Sequence, residues 1–236
     1  MAYMGKSIGK LDSTVVFIIP VYNEERVIYD VVRDVRRNFQ HVVCVNDGSR
    51  DGSAAEILRA GAYLVEHPIN MGQGAALQTG VEFARQLPGV AYFVTFDADG
   101  QHRLDDVTVM LKEIQSGSYD VILGSRFLGS TVGMKRSKYV VLKLAIWFSS
   151  ITSGLRLTDT HNGLRVFNRH VAETMQITLP DMSHASEILE IIANKQYRYK
   201  EVPVTIEYTD YSRSKGQSIM NAVNIGFDML LRKIVK

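Results

Sequence analysis

The chain has 236 residues, 46% hydrophobic and 22% charged, which supplies one sizeable core, and its formal charge of +2 excludes a globally basic, nucleic-acid-binding surface. The single cysteine, Cys44, sits in the apolar run VVCVN, so no disulfide framework exists and a reducing, cytoplasmic setting is expected. No stretch reaches the roughly 18 apolar residues that cross a bilayer, and MAYMGKSIGKLDST carries no apolar leader before Val15.

TVVFIIP (14 to 20) reads as a strand closed by Pro20. In NEERVIYDVVRDVRRNF, Val27, Ile28, Val31, Val32 and Val35 paint one helical face, with Asn23 as cap and Glu24 and Glu25 in the first turn. HVVCVND is a second strand, SAAEILRA a short helix, AYLVEH a third strand, GAALQTGVEFARQ a helix and VAYFVTFDAD a fourth strand. Strands alternating with helices predict an α/β fold of one domain over 1–236. Its central sheet is mainly parallel, has helices on both faces, and gathers ligands at the carboxyl ends of the strands. The polar clusters PVYNEE, NDGSRDGS, NMGQGAA, DADGQH and GSRF all fall at such ends, and the chain becomes less regular from about residue 125.

Each cluster has a plain structural alternative. Asp97 and Asp99 can be turn formers, but in an extended segment residues i and i+2 face one side, where both carboxylates can meet a divalent cation such as Mg²⁺ or Mn²⁺. NDGSRDGS can be a loop of Asx turns, or Asp47 can accept the N–H groups of a nucleotide base. Gly72 and Gly74 can simply start a helix or offer backbone N–H groups to a phosphate, although neither the dinucleotide fingerprint nor the P-loop is present. Cys44 is expected to be a buried, inert thiol.

In this order and spacing, PVYNEE, NDGSRDGS, NMGQGAA, DADGQH and GSRF resemble glycosyltransferase family 2 with the nucleotide-diphospho-sugar (GT-A) fold. DTHNGLRVFNR (159 to 169) and YTDYSRSKGQS (208 to 218) resemble its dolichyl- and polyprenyl-phosphate branch, and the likeness runs from Val15 to Ser218. The resemblance implies a nucleotide-sugar half at about 14–124 and an acceptor half at about 125–218, and the polar stripe Asn221, Asn224, Asp228 and Arg232 predicts a C-terminal amphipathic helix at 219–236. It places Pro20, Tyr22, Glu24 and Asp47 in the nucleoside pocket, and Asp97, Asp99 and Gln101 around a Mg²⁺ or Mn²⁺ ion. Arg126, Arg136, Arg213 and Lys215 correspond to phosphate-clamping cations, with His161 at the loop edge of the site. The branch usually reads D-A-D-L-Q-H-P, whereas Gly100 and Arg103 stand here where Leu and Pro would, which affects loop shape.

Such enzymes invert the anomeric centre by direct displacement. An alcohol acceptor requires a general base, for which Glu187 is the first candidate and Asp159 the second; Glu187 and Glu190 can also be a polar stripe. A phosphate monoester, with a second pKa of about 6, instead requires positive charge and orientation. The expected reaction moves a sugar from a UDP- or GDP-sugar to a polyprenyl phosphate for cell-envelope glycan synthesis. The alternatives are extension of a saccharide chain and a nucleotide-sugar-binding module without turnover. MKRSKYVVLKLAIWFSSI, with Trp147 and Phe148, suits the membrane interface, and the C-terminal helix suits core packing or a homodimer. Peripheral membrane association, with a separate small membrane protein as docking partner, is a further expectation.

Overall fold

Strand β1 (Asp12–Val21) alternates in the strict sense: Val15, Phe17, Ile19 and Val21 enter one apolar layer, and Val16 and Ile18 enter the other. Strand β2 (Phe39–Asp47) divides likewise, Val42 and Cys44 to the first layer, Val43 and Val45 to the second. A sheet apolar on both faces must be covered twice. Helices α1 (Ile28–Val35), α2 (Ser53–Arg59) and α4 (Leu104–Gln115) cover the first face through Val32, Ile57, Met110 and Ile114. Helices α3 (Gln73–Arg85), α5 (Arg169–Thr174) and α6 (Ser183–Asn194) cover the second through Leu77, Val81, Val171, Ile188 and Ile192.

The computed structural model describes residues 11–134, 139, 140, 142, 143, 146, 155–179, 183–208 and 211. Arg136, Trp147, Phe148, Arg213, Lys215 and the C-terminal helix expected at 219–236 lie outside the described residues. Among the described residues no helix is long and apolar enough to cross a membrane.

The remaining strands are β3 (Tyr63–His67), β4 (Tyr92–Thr95), β5 (Val121–Val132), β6 (Arg165–Asn168) and β7 (Tyr199–Glu207), and the seven order as β3-β2-β1-β4-β6-β5-β7. All pairings are parallel except those of β6, which runs antiparallel to both β4 and β5. The reversal has a positional effect: Arg165 pairs with Thr95, so β6 begins at the edge where the parallel strands end. The segment preceding β6 is thereby delivered to the loops that follow β1, β2, β3 and β4.

Three local expectations are corrected. Pro20 does not close β1, which continues to Val21 with Pro20 opposite Val45. Asn23 does not cap α1, whose N-cap is Val27; it has φ of 55°, accepts from the Arg50 N–H at 2.9 Å and donates its own N–H to Ser49 Oγ at 2.9 Å. GSRF is not a loop but part of β5, which shifts register against β7 between Ser125 and Ser130. Loop-to-loop bonding decided the second case and long-range strand pairing the third; neither leaves a local trace.

At the edge opposite the loops, Asp120 ties three strand ends. Its carboxylate accepts from Arg198 Nε and Nη2, the Arg198 N–H and Asn168 Nδ2 at 2.9 to 3.1 Å. Hydrogen bonding by Arg198 holds its carboxyl down at about 2, against an ordinary 3.8. A depressed acid stabilises the fold above its unfolded pKa and loses that contribution as pH falls through the folded value. Asp120→Asn is therefore expected to cost roughly 1–2 kcal/mol at neutral pH and to flatten the loss of stability between about pH 4 and pH 2, read by urea denaturation across that window.

Candidate functional site

Thr95 ends β4, and the next residues form a turn, so Asp97 and Asp99 leave the sheet by a bend and not along an extended strand. Asp97 is fixed from three sides. His102 Nε2 lies 2.9 Å from its Oδ2 and Gln73 Nε2 donates to Oδ1 at 3.3 Å. On the third side, a Cβ added at Gly163 would fall 2.3 Å from Asp97 Oδ2, so only glycine leaves room there. The Gly163 carbonyl accepts from Thr95 Oγ1 at 2.6 Å, locking the segment before β6 against the end of β4. Burial opposes charge on Asp97, yet the hydrogen bond and charge of His102, with Arg165 and His184, hold its carboxyl below the usual range.

Asp99 is placed differently. Gln101 donates to it twice, from Nε2 at 2.6 Å and from its backbone N–H at 3.1 Å. Burial first, and the charge of Asp97 second, push its carboxyl up to about 6. Two carboxylates that oppose each other's ionisation, with Gln101 beside them, form a hard oxygen donor set that fits Mg²⁺ or Mn²⁺. Among the described residues no group of three or more His, Cys, Asp or Glu side chains is assembled for a metal. The protein's share would be the carboxylate pair, with the remaining positions left to substrate phosphates and water, as is usual for Mg²⁺ with nucleotides.

The loop is clamped to β7 beyond the acids: the Glu207 N–H donates to the Gln101 carbonyl at 3.1 Å, His102 bridges to Ile206, and Arg103 pairs with Glu207. Gly100 has φ of +72°, a left-handed backbone the Leu of the related pattern would adopt only under strain. The departures at 100 and 103 thus shape this turn and leave both carboxylates in place.

Other expected site residues take more constrained positions. Arg126 is buried and engages the protein itself: Nε donates to Asp159 at 2.6 Å, Nη2 to the His161 carbonyl at 2.9 Å and Nη1 to Tyr208 Oη at 3.0 Å. The pair therefore braces the 158–161 loop, and neither a free phosphate-binding cation at Arg126 nor an available base at Asp159 is presented. Glu201 adds to the brace, accepting from the Thr158 and Asp159 N–H groups. His161 bonds Thr160 Oγ1 through Nδ1 at 2.8 Å, and burial lowers its pKa to about 4, so the ring is neutral near pH 7.

Glu187 is occupied as well. Its carboxylate accepts from the N–H groups of Thr178 (3.0 Å) and Leu179 (2.8 Å), which makes it a brace of residues 178 and 179. The Leu179 carbonyl lies 2.1 Å from where a Gly74 Cβ would sit, so Gly74 serves the close packing of α3 against residue 179. The Gly72 N–H is directed to Asp47 Oδ2 at 2.8 Å. Of the nucleoside-pocket candidates, Pro20 is half-buried, Tyr22 is 47% exposed and Glu24 Oε2 accepts from Tyr211 Oη at 2.7 Å.

Arg165, Gln73, His102, His184 and Tyr211 carried no assigned role in the sequence. Arg165 is 3% exposed, with burial drawing its pKa down to about 10. A lone Arg inside the apolar run LRVF was the available signal, since an unpaired cation rarely enters a strand core. His102 was marked only by its place five residues after Asp97.

The mixed, mostly parallel sheet flanked by helices is an α/β fold of the GT-A class. The Glycosyl transferase family 2 model matches residues 16–174, and the chain belongs to that family. It is a glycosyltransferase. It is 29% identical to the UDP-N-acetylglucosamine--dolichyl-phosphate N-acetylglucosaminyltransferase of Methanococcus voltae over 95% of this chain and 98% of that one. It is 28% identical to the polyprenol monophosphomannose synthase of Mycolicibacterium smegmatis over 88% and 81% of the two chains. Among solved structures, glucosyl-3-phosphoglycerate synthase from Mycobacterium tuberculosis, in complex with Mn²⁺ and UDP-glucose, superposes with a TM-score of 0.70 at 15% identity, covering 97% of this chain and 82% of that one.

Gly163→Ala should displace the Asp97 carboxyl, because the three atoms nearest the added Cβ, at 2.3 to 2.6 Å, all belong to it. Sugar-transfer activity is expected to fall at least ~100-fold, as misplacement by about 1 Å does elsewhere. Circular dichroism should show the fold retained, and full activity in the variant would refute the packing.

Proposed function

We propose that the protein transfers a sugar from a UDP- or GDP-sugar to a polyprenyl phosphate at a membrane surface, with a divalent cation and inversion at the anomeric centre. The observation that carries the reading is the Asp97–Asp99 pair, held by His102, Gln73, Gly163 and Gln101 at the carboxyl edge of a family 2 sheet. The lipid-phosphate acceptors named for the methanococcal and mycobacterial relatives support the acceptor class. The Mn²⁺ and UDP-glucose in the mycobacterial structure support the donor class and the metal.

Asp97 and Asp99 would hold the cation, which when bound neutralises charge on the diphosphate as it leaves. The chain's own part is orientation. His102 and Gln73 keep Asp97 aimed, Gln101 orders Asp99, and the Arg126–Asp159 pair with Glu201 holds the loop that leads into Gly163. An acceptor phosphate oxygen attacks the anomeric carbon as the bond from that carbon to the donor's phosphate oxygen breaks. The electron pair leaves with the nucleoside diphosphate, and no proton need be removed from an acceptor ionised near neutral pH. In the described residues both proposed bases, Glu187 and Asp159, are engaged by the protein, which favours this acceptor over an alcohol. Arg136, Arg213 and Lys215 are proposed as the cations that receive the acceptor phosphate, and peripheral membrane contact through the 134–151 region belongs to the same reading.

Nucleoside diphosphate release from a panel of UDP- and GDP-sugars, with Mg²⁺ or Mn²⁺, is expected to require a polyprenyl phosphate in detergent and to drop at least ~100-fold in Asp99→Ala. Donor binding without any stimulation by the lipid phosphate would instead favour a saccharide acceptor. Glu187 separates the two chemistries again. As a brace, Glu187→Gln should keep transfer within about tenfold while Glu187→Ala lowers thermal stability; a general base would cost ~10²–10⁴ in the Gln variant.

A further inference from the structure

Asp47 ends β2 directly opposite His67, the last residue of β3. Its carboxylate is 4% exposed and accepts three hydrogen bonds: His67 Nδ1 at 2.7 Å and the Met71 N–H at 2.8 Å on Oδ1, the Gly72 N–H at 2.8 Å on Oδ2. His67, 8% exposed at its side chain, passes its other nitrogen to Thr79 Oγ1 of α3 at 3.0 Å. A buried chain therefore runs from α3 through the imidazole to Asp47 and on to the backbone of the β3–α3 loop. The loop has no slack beside it, since a Cβ on Gly48 would meet Asn70 N at 2.5 Å. Of the roughly four acceptor sites on a carboxylate, three are taken, and their geometry is set by the ring between Asp47 and Thr79.

We propose that His67 and Thr79 are positioning residues of the donor pocket, acting through Asp47, which the family resemblance assigns to the nucleoside pocket, to fix the β3–α3 loop beside it. This rests on the nucleotide-sugar reading above. Neither side chain need touch the ligand: His67 sets the direction of the Asp47 carboxylate, and Asp47 sets the Met71 and Gly72 amides. Such a device acts on every nucleoside diphosphate alike, because it orders the loop and does not read a base.

The test is the affinity for UDP and for GDP, each with Mg²⁺, by calorimetry, for the wild-type protein and three variants. His67→Phe fills the ring volume without hydrogen bonds, His67→Asn restores a donor near the Nδ1 position, and Thr79→Val removes only the far end of the chain. The expected result is an approximately tenfold weaker Kd in His67→Phe and two- to threefold in Thr79→Val. Partial recovery should appear in His67→Asn, with the ratio of UDP to GDP affinity unchanged and kcat within about threefold. Amide hydrogen exchange at Met71 and Gly72 should quicken in the same order. Wild-type affinity in all three folded variants, or lower thermal stability without any change in Kd, would overturn the proposal. A changed UDP-to-GDP ratio would also overturn it, by making His67 a direct reader of the base. Failure of the wild-type protein to bind either nucleotide would overturn the donor reading itself, and is told apart because it precedes any variant.

Discussion

A sheet buried on both faces leaves carboxylates the ends of its strands, and the candidate site collects at the edge where the parallel strands stop. In this chain β1 and β2 send every alternate residue into one of two apolar layers, and no carboxylate can enter either without a large desolvation cost. Asp47, Asp97, Asp99 and Glu24 all lie on or just past strand ends at that edge. The antiparallel β6 completes the arrangement. Because it starts at the edge where the others stop, it brings Gly163 and Arg165 to the same place. A parallel strand at that position would have sent the segment before it to the far side.

The site is mechanically a set of loops bonded to one another as well as to the sheet. Asn23 and Glu24 of the first loop bond Ser49, Arg50 and Ser53 of the second; Asp47 bonds Met71 and Gly72 of the third; Gln73 at the head of α3 reaches Asp97 of the fourth. Tyr211 returns from the far end of the described chain to Glu24. Each link is a hydrogen bond worth little alone, but the buried ones are costly to leave half-made. Cooperative satisfaction keeps the edge rigid although it is built from turns. Rigidity matters most for Asp97 and Asp99, whose mutual repulsion would otherwise separate them in the absence of a cation.

The parallel part of the sheet from β1 to β4 and the edge that carries the candidate site were legible in the sequence because they follow from periodicity and from turn chemistry at strand ends, whereas the antiparallel β6 and the strand β7 were not read. VVFIIP, VVCVN and YFVT announce buried strands, and the polar clusters after them are dense enough to mark one edge. What escaped was the pairing of side chains distant in sequence. Nothing local says that Arg126 will be closed by Asp159, Tyr208 and the His161 carbonyl, or that Glu187 will cap residues 178 and 179. Family resemblance identified these positions as important but not which way their charges face. Asp47 shows the same gap: its place at the end of β2 was visible, its commitment to two backbone amides and a histidine was not.

The engaged state of these acids and bases bears on the chemistry of the acceptor. A site that deprotonates an alcohol must keep one carboxylate or imidazole free and basic near pH 7. Here Asp159 is neutralised in a buried ion pair, Glu187 is occupied by backbone amides, Asp97 is held below the ordinary range, and His161, pressed down to about 4 by burial, is a poor proton acceptor. Asp99, at about 6, has the right basicity but stands in the pair suited to a cation, which would hold it ionised and direct its lone pairs to the metal. The described site is arranged to orient charge, not to move a proton. An acceptor that arrives already ionised suits such an arrangement, and the proposed phosphate monoester is one. In the proposed reaction the demand shifts from basicity to counter-charge, the part proposed for Arg136, Arg213 and Lys215, and no carboxylate need be released from its structural bonds.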